Sequence, residues 1–261
     1  MTRMESSKTA GDTAAGTIAP ANDASATETL ANDPVFEQVR DAVAEIGRAH
    51  DNARLDRMLE ALERPIVFVD LETTGGSALT DRITEIGIVE VSRYGVDTWT
   101  SLVDPERDIP LFVQELTGIS NEMVRGQPVF AALAPALAAR LQGRLFVAHN
   151  ARFDYGFLQQ SFERAGLIFE ADMLCTVQLS RKLFPDAGKH GLSAIVERYA
   201  LEPLGRHRAL ADADLVWQFW QIIHAHHSTQ TIRQAVQSLT RRPGEPVATP
   251  RRPRAKTGKA E

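Results

Sequence analysis

Between residues 66 and 103 the hydrophobic residues are grouped in short runs, and this pattern predicts β-strands. The first run, residues 66–69, is apolar throughout, which is typical of a strand covered on both faces. Two further runs, at 83–91 and 98–103, are bounded by turn-prone glycines. Three consecutive strands predict an antiparallel meander.

From about residue 114 the hydrophobic residues recur three and four positions apart, which predicts helices. Two apolar runs in this region, at 145–148 and 173–176, predict further strands. A meander followed by alternating strands and helices predicts an α/β domain whose mixed sheet is covered by helices on its faces. The helices are expected at 129–141, 153–165, 177–183, 192–199 and 209–226.

The two ends of the chain differ from its middle in composition. Residues 1–32 contain seventeen Ala, Thr and Ser residues and almost nothing large and apolar, so we expect a disordered leader. Residues 33–63 carry two short helical patterns and predict a helical extension, which could pack on the main domain or bind a partner. The main domain is expected at 64–227, and the segment 228–261 should end in a basic disordered tail.

The overall composition excludes several classes of protein. With 43% hydrophobic and 24% charged residues, the chain is close to an average globular protein and is neither collagen-like nor wholly disordered. No apolar run reaches the roughly 18 residues that cross a membrane, and the first residues lack a secretory-signal pattern. We therefore expect a cytoplasmic protein without a membrane partner. The single cysteine, Cys175, excludes an internal disulfide and a cysteine-based metal cage.

The net charge of −5 conceals a strong asymmetry along the chain. Residues 241–261 contain seven basic and two acidic residues, so this tail carries +5 and the rest of the chain −10. Such a tail could bind phosphate groups without sequence preference, or it could be a solvated segment that aids solubility. The sequence leaves both interpretations open.

Acidic residues follow the first and fourth predicted strands. Asp70 and Glu72 are two positions apart at the end of the first strand, so they lie on the same face. Two such carboxylates repel each other and lose solvation, which favours a cation between them, although a strand end that reaches solvent would also explain them. Asp154 begins the helix after the strand at 145–148, where a helix cap is the simpler interpretation.

A third group precedes and opens the final predicted helix. Five helical residues turn through about 500°, so His207 and Asp212 can converge only if His207 lies in the preceding loop. Asp212 and Asp214 are about 200° apart, so at most one of them should face the same site. A loop histidine can accept a proton at neutral pH, or it can be merely exposed.

Four acids and one histidine on three separate segments form an oxygen-rich set, which suits Mg²⁺ or Mn²⁺ rather than zinc. Two such ions can stabilise the attacking and leaving oxygens of an in-line phosphoryl displacement. Hydrolysis of a phosphodiester is therefore the reaction that this set favours.

Three segments of the chain resemble the exonuclease motifs of the DEDDh (DnaQ-like) 3′→5′ exonucleases, in the expected order. They are 68–75 (FVDLETTG), 147–154 (VAHNARFD) and 207–212 (HRALAD). The family includes the proofreading epsilon subunit of bacterial DNA polymerase III and its stand-alone relatives, and the resemblance covers about residues 64–225. It implies an RNase H-like fold with a five-stranded mixed sheet flanked by helices.

The resemblance also implies a role for each matching residue. Asp70 would bind both of two Mg²⁺ or Mn²⁺ ions, and Glu72 and Asp212 would complete the site of the ion that activates the nucleophile. Asp154 would support the second ion, and His207 would accept a proton from the attacking water. The residues expected beside the terminal nucleotide are Leu71, Thr73, Thr74, Leu116, Thr117, His149, Asn150 and Phe153.

The activity implied by the resemblance is metal-dependent 3′→5′ hydrolysis at single-stranded or frayed DNA ends, with release of nucleoside monophosphates in proofreading or repair. The same residues also serve RNases and oligoribonucleases, so trimming of RNA 3′ ends remains open. A third alternative is a non-catalytic subunit that binds nucleic acid within a polymerase or repair complex. The expected partners are thus DNA 3′ ends, with RNA and such a complex as further candidates.

Overall fold

The computed structural model describes residues 58–59, 64–203 and 208–243. The predicted leader lies outside these residues, and so do most of the predicted helical extension, the tail from residue 244 and His207. Within the described part of the chain, no helix is long and apolar enough to cross a membrane.

Five strands form one mixed sheet, which confirms the predicted architecture. The strands are β1 (Ile66–Thr73), β2 (Ile83–Ser92), β3 (Gly95–Leu102), β4 (Leu145–Ala148) and β5 (Met173–Cys175). The first three pair antiparallel as a meander, and β4 and β5 run parallel to β1. Their order across the sheet is β3-β2-β1-β4-β5, so β1 is the central strand.

Eight α-helices connect and cover these strands within the described residues. They are α1 (Leu111–Thr117), α2 (Asn121–Val124), α3 (Phe130–Leu141), α4 (Arg152–Arg164), α5 (Thr176–Leu183), α6 (Leu192–Tyr199), α7 (Ala209–His226) and α8 (Thr229–Leu239). A 3₁₀ turn at Pro185–Ala187 joins α5 to α6.

The side chains of β1 alternate between two hydrophobic cores, one on each face of the sheet. Phe68 packs against Trp217 and Trp220 of α7, with ring centroids 5.5 and 5.8 Å apart. Val67 and Val69 point to the opposite face, which α3 and α4 cover. Full burial of one such side chain stabilises the fold by about 1.5–3 kcal/mol, so packing on both faces holds β1 firmly in place.

The sequence analysis assigns no structure to the residues of α8, and the structure shows a helix there. Its buried residues are Ile232, Ala235 and Val236, which lie on one side of the helix and join the core on the α7 face. Shortly after α8, Arg241 exchanges two backbone hydrogen bonds of 2.9 Å with Met173 of β5.

Candidate metal and substrate site

The end of β1 directs two acidic residues toward α7. Asp70 and Glu72 continue the strand face on which Phe68 packs against α7, because side chains two apart share a face. Asp212 lies in the first turn of α7. Ligand oxygens of Asp70, Glu72 and Asp212 all lie within 4.8 Å of one another. The structure thus brings together three of the four predicted metal ligands.

Asp154, the fourth predicted ligand, approaches this group from α4. Phe68 is the last residue of β1 that pairs with β4, and β1 continues for five more residues. Over these five residues the edge of β1 on the β4 side is open to other partners. The backbone N–H groups of Leu71 in this stretch and of Asp154 itself favour the ionised form of the Asp154 carboxyl group and so oppose the effect of burial on its pKa. Its carboxylate also repels Asp70 and Glu72, which adds to the effect of burial in raising the pKa of both.

Burial disfavours the ionised forms of Asp70, Glu72 and Asp154. It raises the pKa of Asp70 well above its usual range, and the neighbouring carboxylates raise it further. Burial also raises the pKa of Glu72 to about 8, with the Glu85 carboxylate adding to the effect and the Arg208 guanidinium opposing it. The pKa of Asp154 is raised by burial to about 7.

This donor set fits a hard divalent cation. All of its ligand atoms are carboxylate oxygens, which Mg²⁺ and Mn²⁺ prefer. A cation among Asp70, Glu72 and Asp212 would relieve the repulsion and the loss of solvation that raise the pKa values of Asp70 and Glu72. Asp154 supplies a further buried oxygen donor close by.

The predicted substrate residues His149, Asn150 and Phe153 lie where β4 turns into α4. The Thr176 hydroxyl has one proton, which it donates to the Ala148 carbonyl at 3.2 Å. The same hydroxyl therefore accepts a hydrogen bond from His149 Nδ1 at 3.0 Å. Burial lowers the pKa of His149 to about 4, so the ring is neutral with its proton on Nδ1. Asn150 has a φ of 66°, in the left-handed region, and Phe153 is half-buried.

The predicted substrate residues at the end of β1 are engaged within the fold. The Thr73 hydroxyl donates to the Gly75 carbonyl at 2.7 Å, and the Thr74 hydroxyl accepts from the Arg82 N–H at 3.0 Å. Leu71 is buried in the core on the α3 and α4 face. These side chains shape the turn after β1 rather than project from it.

α1 carries the two remaining predicted substrate residues. Leu116 is 59% exposed, whereas Thr117 is buried and its hydroxyl donates to the Val113 carbonyl at 2.9 Å. Leu111 and Phe112 on the same helix are also exposed. α1 therefore presents an apolar surface to solvent, which consists of Leu111, Phe112 and Leu116.

The structure separates the two acids of the final helix. Asp214 is buried and does not belong to the cluster of Asp70, Glu72 and Asp212. Its Oδ2 accepts a hydrogen bond from Gln218 Nε2 at 2.7 Å. Burial raises the pKa of Asp214 to about 6. Only Asp212 joins Asp70 and Glu72, in agreement with the predicted separation on the helix. His207 lies outside the described residues.

Sequence reasoning missed Glu85, which is 1% exposed and lies directly opposite Glu72 in the β1–β2 pair. Its carboxylate binds the side chain of Arg208 and the N–H of Ala209. A charged residue within the apolar run 83–91 is the signal that could have revealed it, because a fully buried Glu is rare unless it is paired.

Residues 67–218 match the family model RNase_T, which is described as an exonuclease. A DNA polymerase III PolC-type from Caldanaerobacter subterraneus subsp. tengcongensis is 37% identical over 154 residues, which are 59% of this chain and 11% of the relative. The 3′-5′ exonuclease DinG of Bacillus subtilis is 36% identical over 152 residues, 57% of this chain and 16% of the relative. The chain thus spans less than a fifth of the length of these curated relatives.

Two solved structures share the fold. Exonuclease X, in complex with 5′ overhanging duplex DNA, is 25% identical with a TM-score of 0.52, and the match covers 65% of this chain and 98% of that chain. Exonuclease I of E. coli, in complex with a dT13 oligonucleotide, is 16% identical with a TM-score of 0.56, and the match covers 62% and 41%. The second likeness shows the fold alone.

The family model spans more than half of the chain and includes the three segments that resemble the DEDDh motifs. The predicted family resemblance is confirmed, and the chain belongs to the RNase_T exonuclease family.

Proposed function

We propose that this chain is a 3′→5′ exonuclease that hydrolyses phosphodiester bonds at single-stranded or frayed DNA 3′ ends and releases nucleoside monophosphates. The observation that carries the proposal is the convergence of Asp70, Glu72 and Asp212 within 4.8 Å, with buried Asp154 nearby. The relatives named as a DNA polymerase III and as a 3′-5′ exonuclease support the DNA substrate and the polarity.

Asp70, Glu72, Asp154 and Asp212 would hold two divalent cations, Mg²⁺ or Mn²⁺. Such a pair, when bound, stabilises the charge on the attacking and leaving oxygens of an in-line displacement. Each carboxyl group must lose its proton before it can act as a ligand. The backbone N–H groups of Leu71 and Asp154 favour the ionised form of the Asp154 carboxyl group.

His207 would accept the proton of the attacking water. In the sequence it directly precedes Arg208, whose side chain is tied to β2. An imidazole is the side chain best suited to take up a proton near neutral pH.

The terminal nucleotide would contact the end of β1, the β4–α4 turn and α1. Leu116 is the exposed apolar side chain among the candidates and is suited to stacking or wedging against a base. Such contacts accept any base, so no base-sequence preference is expected. The proposed contact residues remain Leu71, Thr73, Thr74, Leu116, Thr117, His149, Asn150 and Phe153. Leu71, Thr73 and Thr74 would make their contacts through backbone groups, because their side chains are buried.

The proposed domain organisation keeps a leader at 1–32, a helical extension at 33–63 and an exonuclease domain that begins at residue 64. We place the end of this domain after α8 rather than at residue 227, because α8 contributes Ile232 and Val236 to the core. We also propose a cytoplasmic location and attachment to a polymerase or repair complex.

The proposed activity can be tested with matched 5′-labelled and 3′-labelled single-stranded oligonucleotides of DNA and RNA, incubated with Mg²⁺, Mn²⁺ or EDTA. We expect stepwise shortening of 5′-labelled DNA that needs a divalent cation. Asp70→Asn should lose the activity by a factor of at least about 10³ and remain folded, because burial and the neighbouring carboxylates already disfavour the ionised form of Asp70.

The alternatives give different results in the same assay. Faster loss of RNA than of DNA would overturn the DNA preference in favour of RNA trimming. No degradation of either polymer by folded wild-type protein would overturn the catalytic proposal and favour a binding subunit.

A further inference from the structure

We infer that Glu85 and Arg208 are positioning residues for the proposed metal site. Their buried ion pair fixes the first turn of α7 and so holds Asp212 beside Asp70 and Glu72. The inference rests on the proposed function, because it concerns how that site is assembled.

The ion pair joins β2 to the residue that precedes α7. The Glu85 side chain is 1% exposed and the Arg208 side chain 12%. Arg208 Nε lies 3.0 and 3.2 Å from the two carboxylate oxygens, and Nη2 lies 3.0 Å from Oε1. A guanidinium that binds a carboxylate through two nitrogens fixes its orientation as well as its distance.

Glu85 also caps α7 from outside the helix. The first N–H groups of a helix have no partner within it, and Arg208 at the N-cap position provides no side-chain cap. The N–H of Ala209 instead donates to Glu85 Oε2 at 3.0 Å. One carboxylate therefore holds the last residue before the helix and the first residue within it.

Close backbone packing gives the start of α7 little room to shift. Gly87 of β2 lies directly opposite Asp70 of β1. A Cβ at Gly87 would lie 2.1 Å from the carbonyl carbon of Ala209 and from the nitrogen of Leu210. The first turn of α7 thus rests on β2 beside Asp70, and this contact sets the distance from Asp70 to Asp212.

The Glu85–Arg208 ion pair also balances charge between the neighbouring strands β1 and β2. Glu85 and Glu72 are directly opposite each other on β2 and β1. Like charges in such a position destabilise a strand pair, and the Arg208 guanidinium supplies the opposite charge. The fold can therefore keep Glu85 next to a metal-site carboxylate.

Positioning and simple electrostatics predict opposite results for one substitution. Arg208→Met removes a positive charge close to a cation site, so Coulomb attraction alone would make cation binding tighter. If Arg208 acts by positioning, the same substitution releases the first turn of α7 and makes cation binding weaker.

The experiment measures Mn²⁺ binding to the metal-free full-length protein by electron paramagnetic resonance, without nucleic acid. We expect Arg208→Met and Glu85→Gln to bind Mn²⁺ about 10–100-fold more weakly than wild type, the range for loss of a group that supports metal ligands. The double variant should bind no more weakly than the worse single variant, because both residues act through one contact. Arg208→Lys, which keeps the charge without the planar fork, should also bind more weakly.

Glu90→Gln is the matched control. Glu90 is a buried acid on the other face of β2, paired with Arg140 and, at 3.0 Å, with Arg144. Its substitution should lower thermal stability but leave Mn²⁺ affinity within about twofold of wild type, since distant sites act independently.

Thermal unfolding shows which variants are folded. If Arg208→Met does not fold, the Mn²⁺ affinity of Arg208→Lys tests the inference in its place. Mn²⁺ binding by the folded Arg208 variants as tight as that of wild type, or tighter, would overturn the inference and leave the proposed function intact. Failure of wild type itself to bind Mn²⁺ would overturn the proposed metal site and this inference with it.

Discussion

At the scale of single residues, the candidate site depends on carboxyl groups that the fold has partly or fully removed from water. Burial raises the pKa of Asp154 to about 7 and that of Glu72 to about 8, against usual values of 3.8 and 4.5. At neutral pH the metal-free protein therefore holds protons that the unfolded chain has already lost. A divalent cation must displace them in order to bind.

This proton balance predicts how metal binding depends on pH. Affinity for Mg²⁺ or Mn²⁺ should rise between about pH 6 and 8, because Glu72 and Asp154 lose their protons in that range. Calorimetric titrations at pH 7 in buffers of different ionisation enthalpy should show release of about one proton or more per protein. Binding without proton release would contradict the raised pKa values.

The same shifts determine how stability depends on pH. A carboxyl group with a raised pKa in the folded state contributes stability below its unfolded pKa, near pH 4, and this contribution is lost as the pH rises through 7 to 8. The metal-free protein is therefore expected to be less stable at pH 8 than at pH 6, and the stabilisation by added metal should be larger at pH 8.

The acidic ligands could be proposed from the sequence because the period of a strand and the angle per residue of a helix are local properties. Asp70 and Glu72 share a face by the first property, and Asp212 separates from Asp214 by the second. Glu85 could not be assigned in this way, because its partner Arg208 is 123 positions away in the chain. Only the packing of β2 against α7 creates that pair.

At the scale of elements, the contact between β2 and α7 controls the site. Gly87→Ala would place a Cβ 2.1 Å from backbone atoms of α7 and force the two elements apart. We expect a loss of about 1–3 kcal/mol in the free energy of unfolding, together with weaker Mn²⁺ binding. Thermal unfolding and electron paramagnetic resonance measure the two effects.

Gly156→Ala is the control for this substitution. Gly156 lies within α4, and the nearest atom to an added Cβ is that of Ala78 at 3.9 Å. Removal of a helical glycine should stabilise the protein by up to about 1 kcal/mol and leave Mn²⁺ affinity unchanged. Equal effects of the two substitutions would contradict the importance of the β2–α7 contact.

The hydrophobic pattern predicted some helices and strands better than others. The strands of the meander were recognisable because their apolar and β-branched residues are grouped in short segments between turn residues. α8 was not predicted, because its apolar side consists mainly of Ile232, Ala235 and Val236 among Thr and Gln residues. Burial of that side needs α5 and α7, which the local sequence does not describe.

At the scale of the whole molecule, charge is divided between an acidic body, residues 1–240, and a basic end, residues 241–261. Residues 241–261 carry +5 while the rest of the chain carries −10. An acidic body repels a polyanion, so a basic end could supply attraction that the body lacks.

This division predicts the effect of removing residues 244–261, which include five basic and two acidic residues. The truncated protein should bind single-stranded DNA more weakly, and the slope of log affinity against log salt should become shallower by up to about 3.5. Fluorescence anisotropy with Asp70→Asn protein, between about 50 and 200 mM salt, measures both quantities. An unchanged slope would favour the interpretation of the tail as a solvated segment.

The two backbone hydrogen bonds between Met173 and Arg241 have a practical consequence for any shortened form of the protein. β5 is an edge strand, and an uncovered edge offers its free N–H and C=O groups to other chains. A fragment that stops at residue 227 would lack both this cover and α8, and would expose Leu179 and nearby apolar side chains. Such a fragment should aggregate through edge-to-edge pairing, so any truncated protein made for crystallisation or assay should retain the chain through residue 243.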